Sequence, residues 1–475
     1  MSNKFSSVLQ LTDLDDFITP SQECIKPIEI KNSKSGGVGK IKIHGDGTYF
    51  QESKEGQLKK LERVQVTLND CLACSGCITS AESVLINQQN FNEIIKVLNK
   101  NKEDKENYGG KLVVVSLSIQ SVVSLAQKYE MTPEQVAKCL ATFFKQLGAD
   151  KVIEMSIAED LSLLEVQNEF IERYRNKTTT VNLLPMLASS CPGWICYAEK
   201  THGNFILPFV STVKSPQQIM GSLVKTNLGY SSDNIYHITL MPCYDKKLEA
   251  SRNEFFNNEL NARDVDCVIT TVEVEQLLAE QNISLPEISA TELDYPWGNY
   301  SDSVLYGHSG SGSGGYAHHI LIHAAREIFG VELTELNWHT GKNPDLKEIT
   351  VEGKDPNMVL RFAIANGFRN IQNVVQKMKR GKCHYDYVEI MACPSGCLNG
   401  GAQTKPNDGA PAREIVSQLE CLYKNIPVSF PEQNNVVRKL YEEWLDGRGS
   451  DKCSSLLHTN YRPVEKLTTA LNIKW

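Results

Sequence analysis

The fold of this 475-residue chain is decided by the stretch Glu389-Ile390-Met391-Ala392-Cys393-Pro394-Ser395-Gly396-Cys397-Leu398-Asn399-Gly400-Gly401. Its apolar beginning predicts a strand, which ends where the cysteine, proline and glycine follow. Two thiolates on a tight loop at a strand end suit a soft metal or an iron–sulfur cluster. The alternative for this segment alone is a pair of buried structural cysteines, so the rest of the chain must decide.

Length and composition are those of a globular protein with two or three domains, because one core rarely grows this large. Hydrophobic residues make up 41% and charged residues 22% of the chain, which is ordinary for such proteins. The net charge of -8 argues against nucleic acid as a partner. We expect no signal peptide and no membrane segment, and therefore a cytoplasmic location, with the nucleus as a second one. Fourteen cysteines in a reducing compartment favour metal binding over disulfides.

A first unit, residues 1–108, carries cysteines at the spacing of an iron–sulfur site. Cys71, Cys74 and Cys77 form a C-x2-C-x2-C run, as in bacterial ferredoxins. Zinc sites more often use two separated C-x2-C pairs, so zinc is the weaker alternative. No further cysteine follows Cys77 closely, and Cys24 is the only other cysteine in this unit. We therefore expect Cys24 to be the fourth ligand.

Beyond a polar linker expected at residues 99–110, apolar runs alternate with helical patterns. A strand is predicted at Leu112–Leu117, and a helix begins after Thr132, with Pro133 in its first turn, and ends before Gly148. Such alternation predicts an α/β fold with parallel sheets. We expect a first lobe at residues 109–245, a second lobe at 246–424, and a helical segment with a tail at 425–475.

Three predicted strands end in a cysteine beside a proline. These cysteines are Cys191, Cys243 and Cys393, and Cys397 follows the last of them closely. In open parallel sheets, ligands collect beyond the carboxyl ends of the strands. One site therefore can gather all four thiols, and four cysteines complete the ligand set of a 4Fe–4S cubane.

A glycine-rich loop, with glycines at 310, 312 and 315, fits G-x-G-x-x-G before a helix predicted from Tyr316 to Phe329. No acidic residue follows at the end of a second clear strand, as a dinucleotide site requires. We therefore favour a loop that folds closely over the cysteine site. A short strand is predicted just before it, at residues 303–306.

Together these motifs resemble the iron-only hydrogenase family over about residues 20–420. The resemblance rests on four segments: Ser190-Cys191-Pro192-Gly193-Trp194, Met241-Pro242-Cys243 with Lys246, Lys214-Ser215-Pro216-Gln217-Gln218, and residues 389–401. It implies two parallel-sheet lobes that enclose a cluster site, with a small N-terminal cluster-binding domain. In the hydrogenases, the four cysteines hold a cubane, and the last of them also bridges to a diiron unit.

Several departures from the hydrogenase pattern bear on activity. Ser190 stands where the hydrogenases have a second cysteine that relays protons, and its hydroxyl does not titrate usefully near neutral pH. The paired acids of the proton path are reduced to one at Glu165-Val166, and Ala402 interrupts the closing glycine run. These features look more like the hydrogenase-like branch of cytosolic iron–sulfur assembly factors, which includes the nuclear prelamin A recognition factor-like proteins.

That resemblance implies two 4Fe–4S clusters and no hydrogenase activity. One would be held by Cys24, Cys71, Cys74 and Cys77, and the other by Cys191, Cys243, Cys393 and Cys397. The implied role links early cluster scaffold proteins to a late targeting complex that includes a WD40-propeller protein. An iron-only hydrogenase and an electron-transfer iron–sulfur protein are the alternatives.

The chain ends in a polar tail whose last residue is Trp475. One interpretation is that this tryptophan packs on its own domain. The other is an anchor for the targeting complex, because tryptophan is enriched at interface hot spots and a basic pocket can bind a terminal carboxylate.

Overall fold

The structure is a computed structural model, and it describes residues 40–43, 49–52, 58–60, 85–86, 88–106, 110–177, 184–299, 304–353, 358–404 and 412–463. Of the residues singled out above, five lie outside the described ranges: Cys24, Cys71, Cys74, Cys77 and Trp475. The predicted N-terminal cluster and the role of the tail therefore stay predictions.

Two sheets form the framework of the described chain. The first has the strand order β10-β7-β4-β5 and is entirely parallel. The second has the order β11-β12-β13-β14-β6, parallel across β13, β14 and β6 and antiparallel at its β11–β12 edge. The strands are β1 (Lys40–Ile43), β2 (Tyr49–Glu52), β3 (Leu58–Lys60), β4 (Leu112–Leu117), β5 (Lys151–Glu154), β6 (Met186–Ala188), β7 (Ile235–Met241), β8 (Phe256–Asn257), β9 (Ala262–Arg263), β10 (Cys267–Thr270), β11 (His339–Thr340), β12 (Leu346–Glu352), β13 (Val359–Asn366) and β14 (Tyr387–Met391).

Helices connect the parallel strands, as right-handed crossovers require. One of them, α4, is buried over most of its length, because it packs on the second sheet and on three neighbouring helices. The helices are α1 (Phe91–Glu106), α2 (Ile119–Lys128), α3 (Pro133–Leu147), α4 (Ser156–Arg175), α5 (Pro192–Ile206), α6 (Pro216–Asn227), α7 (Asp245–Ala250), α8 (Thr271–Glu280), α9 (Tyr316–Ala324), α10 (Phe368–Lys379), α11 (Ala412–Lys424), α12 (Asn435–Glu443) and α13 (Asp451–Leu457).

The two lobes exchange strands. β6 precedes the end of the predicted first lobe but pairs with β14 of the second sheet. β10 lies in the predicted second lobe but pairs with β7 of the first sheet. Each sheet is therefore completed by a strand from the other half of the chain. This arrangement brings the ends of β6, β7 and β14 toward one another and ties the lobes together around them.

The start and the end of α3 were predicted correctly from local signals in the sequence. The Thr132 side chain accepts from the backbone N–H of Gln135, the Gln135 side chain accepts from that of Thr132, and Pro133 occupies the first turn. These reciprocal bonds satisfy two of the donors that a helix start leaves open. The helix ends at Gly148, whose φ of +118° suits a residue without a Cβ.

Two local predictions were wrong. The expected linker at residues 99–110 is mostly the exposed end of α1, which continues to Glu106. Its polar composition reflects a solvated helix face. The expected strand at 303–306 is buried coil over Val304–Tyr306. This coil does not join either main sheet, and Gly307 instead forms a single bridge to Val428.

Successive side chains of β4 face opposite sides of its sheet and contribute to two different hydrophobic cores. Val113 and Val115 face one core and Val114 faces the other, as the two-residue period of a strand dictates. The larger core also contains the second sheet, α4 and the side chains of α12 and α13. In the part of the chain that the structure describes, every helix is too short or too polar to cross a bilayer.

Candidate metal centre

The structure brings the four predicted cysteines of the lobes to one place. Cys191 follows β6 and caps α5, Cys243 follows β7, and Cys393 and Cys397 follow β14. β6 and β14 are adjacent parallel strands of the second sheet, whereas β7 belongs to the first. The thiols therefore meet at the carboxyl ends of strands from both sheets, where parallel α/β folds bind their ligands.

Short backbone contacts hold these loops together. The Ala392 N–H donates to Cys191 Sγ at 3.4 Å, which joins the β6 and β14 loops. The Ala402 N–H donates to the Pro242 carbonyl at 3.0 Å, which ties the β14 loop to the β7 loop. Each contact crosses between segments that are far apart in the sequence, so the site exists only in the folded chain.

Burial and mutual proximity change the acidity of all four thiols. Burial raises the pKa of Cys191, Cys243 and Cys393, and that of Cys397 to about 12. The negative charges of neighbouring thiolates and of Asp245 raise these pKa values further. Four such thiolates are stable together only when positive charge lies among them, which a bound metal centre would supply.

The donor set of this site consists of four cysteine thiols, and the described cysteines are free of disulfides. Within the described residues, no group of three or more His, Cys, Asp or Glu side chains is arranged to hold one metal ion. Four thiolates are the ligand set of a 4Fe–4S cubane, which spreads its ligands around a larger body than a zinc ion does.

The glycine-rich loop closes over this site, as predicted. Ser313 Oγ accepts from the Cys397 N–H at 2.9 Å. A Cβ on Gly312 would overlap the Leu398 side chain, and one on Gly396 would overlap Ser313 Oγ. Close approach of the backbone to neighbouring side chains, and not dinucleotide binding, accounts for these two glycines.

A cavity of about 40 Å³ lies beside Cys397. Polar groups line it, among them Ser190, Gln217, Lys246 and Glu159. Its size admits only a few water molecules.

The Lys246 ammonium is held at the cavity by an acidic partner. It donates to Glu249 at 2.8 Å, and Gln217 donates to the same carboxylate at 3.1 Å. Its positive charge opposes part of the rise that burial causes in the pKa of the Cys243 and Cys397 thiols.

Sequence reasoning assigned no role to three buried acidic side chains near the site. Glu389 is fully buried in β14 and accepts from the Ala317 N–H at 2.8 Å, at the start of α9. Glu159 and Asp160 of α4 flank the buried ring of His308. Glu389 stands inside the decisive motif, so its place in the strand was predictable. The His308 cluster joins residues about 150 positions apart, and no local pattern marks it.

Other cysteines are distributed without a common centre. Cys139, Cys267 and Cys453 are buried and Cys421 is exposed.

Two family models match the chain. Residues 111–401 match the model described as iron only hydrogenase large subunit, C-terminal domain. Residues 413–464 match the model described as iron hydrogenase small subunit. Together they span both lobes and the helices that follow.

Curated relatives are similar over the whole length. A probable cytosolic Fe-S cluster assembly factor of Anopheles gambiae is 56% identical, with 100% of both chains covered. Cytosolic iron-sulfur assembly component 3 of Mus musculus is 52% identical, again over 100% of both.

Solved structures with a similar fold are hydrogenases. An apo FeFe-hydrogenase from Chlamydomonas reinhardtii has a TM-score of 0.68 and 28% sequence identity, and the match covers 78% of this chain and 99% of that one. A variant of the same hydrogenase has a TM-score of 0.68 and 29% identity over 79% of this chain and 99% of that one.

Proposed function

This chain belongs to the iron-only hydrogenase family, and on that premise we propose that it is a component of cytosolic iron–sulfur protein assembly that binds two 4Fe–4S clusters. Its relatives at 56% and 52% identity over the full length carry assembly names, whereas the hydrogenase structures are 28% identical. The chain is therefore closer to the assembly branch of the family than to the hydrogenases with solved structures.

The observation that supports the second cluster is the convergence of four thiols, one buried and three half-buried, at strand ends from both sheets. Cys191, Cys243, Cys393 and Cys397 would be its ligands. When bound, such a cluster supplies a one-electron redox centre and labile iron and sulfide. The residues around it hold the Lys246 ammonium nearby. The first cluster, at Cys24, Cys71, Cys74 and Cys77, is proposed from the sequence spacing alone.

One feature supports a role without hydrogenase activity. Ser190 lines the cavity beside Cys397 and has no thiol to relay protons. We expect hydrogen evolution with a strong reductant to stay at background. Robust turnover, or infrared bands from carbonyl and cyanide ligands, would contradict this.

Iron and sulfide analysis with electron paramagnetic resonance on anaerobically purified protein tests the proposal. Two cubanes predict about eight iron and eight sulfide per chain. A cubane with a diiron unit would add infrared bands, and zinc would appear without sulfide.

Cysteine variants assign the iron to its site. Cys243→Ala should remove about half of the iron and the spectrum of one cluster. The matched control is Cys421→Ala, because Cys421 is exposed and lies outside the proposed ligand set. Full iron retention in Cys243→Ala would overturn the assignment of the second site.

We extend the proposal to partners: early cluster scaffold proteins, and a targeting complex with a WD40-propeller protein, for which Trp475 is the candidate contact. Deleting Trp475 should leave both clusters and the melting temperature unchanged but weaken capture of that complex. Loss of stability and iron with unchanged capture would instead show that Trp475 packs on its own domain.

A further inference from the structure

His308 lies in a cluster of charges that the proposed function does not use. Its side chain is completely buried, with Nε2 at 2.7 Å from Asp160 Oδ1 and Nδ1 at 3.1 Å from Glu159 Oε2. These two carboxylates raise the pKa of His308 to about 10, against the opposing effect of burial. The ring is therefore an imidazolium that joins the second lobe to α4.

Asp160 also holds the C-terminal segment, residues 412–463. Ser429 Oγ donates to it at 2.9 Å and Asn434 Nδ2 at 2.7 Å. The segment reaches the same junction a second time, because the Tyr423 hydroxyl accepts from the His308 N–H at 2.9 Å. Asp160 is itself fully buried. Its charge is thus satisfied by one residue of the second lobe and two of the segment.

Glu159 connects this junction to the cysteine site. It lines the cavity beside Cys397, and its Oε2 is buried without a hydrogen-bond partner of good geometry. The imidazolium of His308 stands directly behind it. The single positive charge of His308 is therefore shared by two carboxylates: Glu159 at the cavity beside Cys397, and Asp160 at the C-terminal segment.

We propose that His308 is a positioning residue that couples occupancy of the four-cysteine site to the docking of the C-terminal segment. The inference rests on the proposed function, since it requires a cluster at Cys191, Cys243, Cys393 and Cys397. Four thiolates outweigh the positive charge of a cubane core, so a bound cluster adds negative charge beside Glu159. The imidazolium offsets that charge and at the same time keeps Asp160 paired.

Binding of the cluster then strengthens the docking of the C-terminal segment at Asp160. By reciprocity, the docked segment slows the loss of the cluster. Two further groups face the His308 ring or its partners. His319 contacts the ring edge-on at a centroid distance of 5.7 Å, and burial lowers its pKa well below the usual value, so it is neutral. Glu154 acts on the same carboxylates, and burial raises its pKa to about 7. Neither supplies the positive charge that His308 does.

Hydrogen exchange on the full chain measures the coupling. Peptides that contain Ser429 and Asn434 should exchange about tenfold more slowly in loaded protein than after removal of iron with a chelator. In His308→Gln, this difference should fall to near zero.

The matched control is His237→Gln. His237 is also completely buried, but burial lowers its pKa to about 3, so it is neutral, and it bonds Ser116 at 2.8 Å. This variant should keep the wild-type difference between loaded and empty protein, even if it is less stable overall.

A milder variant tests the reverse direction where His308→Gln does not fold. Ser429→Ala removes one donor to Asp160 and leaves the imidazolium in place. Because coupling is reciprocal, the Ser429→Ala variant should lose iron to a chelator roughly fivefold faster than wild type.

The outcomes separate the two proposals. Iron and sulfide present, with equal exchange of the segment in loaded and empty protein, would overturn the coupling alone. Unchanged iron loss in Ser429→Ala would do the same. Wild-type protein without iron and sulfide would overturn the proposed function and the coupling with it.

Discussion

Glu389 shows how one buried side chain connects the strand, the glycine-rich loop and the site. Its carboxyl group accepts from the Ala317 N–H and, at 3.2 Å, from Ser311 Oγ. Ala317 lies in the first turn of α9, where the helix dipole favours negative charge. Burial nevertheless dominates and raises the pKa of Glu389 from 4.5 to about 7. The folded protein therefore binds a proton more tightly here than the unfolded chain.

We predict that Glu389→Gln makes stability less dependent on pH. Because the folded pKa is raised, stability from this group is present below pH 4.5 and is lost as pH rises through about 7. At pH 8, the glutamine variant should be more stable than wild type by up to about 3 kcal/mol, since its amide oxygen can still accept from Ala317. Urea unfolding of cluster-free protein at pH 5 and pH 8 measures this. A variant that is less stable at both pH values would show that the carboxylate is a net stabiliser.

Among the connections, the glycine-rich loop before α9 depends most on backbone freedom. Gly315 has φ +63°, and a Cβ there would overlap the Ser309 carbonyl oxygen. The loop cannot move away easily, because Ser313 bonds the Cys397 N–H and Ser311 bonds Glu389. A side chain at Gly315 therefore disturbs the cysteine loop as well.

We predict that Gly315→Ala lowers both stability and cluster content. The matched control is Gly330→Ala, which has the same φ of +63° but no atom within 4 Å of its Cβ. The control should lose only about 1 kcal/mol of stability, from the strain of an alanine at positive φ, and should retain its iron. Thermal unfolding and iron content of both variants measure the difference. Equal effects would show that the contact with Ser309 is of no consequence.

Elements with strong local signals were predictable from the sequence, and those defined by distant contacts were not. The helix α3 has a capping box, a proline and a terminal glycine, so its bounds followed from local chemistry. The coil at Val304–Tyr306 has the apolar composition of a strand, yet its backbone does not pair with a strand of either main sheet. Hydrophobicity predicted its burial correctly and its conformation wrongly.

At the scale of the whole molecule, the meeting of the four cysteines was predictable because three of them follow strand ends and Cys397 lies on the same loop as Cys393. Parallel sheets bring such ends to one edge, whatever the distance in sequence. The exchange of β6 and β10 between the sheets was not predictable, because it depends on pairing between halves of the chain. The junction of His308 with Asp160 was missed for the same reason.

We expect that the lobes must move apart before a chelator can remove iron from a cluster bound at the four-cysteine site. Contacts across the two β loops, such as that between Ala402 and the Pro242 carbonyl, would have to break. The Gln403 side chain, which accepts from Thr271 Oγ1 at 2.7 Å, adds another. Opening of this kind exposes buried apolar surface and is therefore rare in the native state.

We predict two phases of iron loss from loaded protein, of which the slower belongs to the site between the lobes. Its rate should become independent of chelator concentration, because opening and not capture then limits release. Cys24→Ala should remove the fast phase and leave the slow one, since Cys24 is proposed as a ligand of the N-terminal cluster. Absorbance of the released iron complex follows both phases. Equal rates of iron loss from the two clusters in an intact fold would contradict the shielding of the second cluster. Loss of the slow phase in Cys24→Ala would show that Cys24 is not a ligand of the N-terminal cluster but contributes to the site between the lobes.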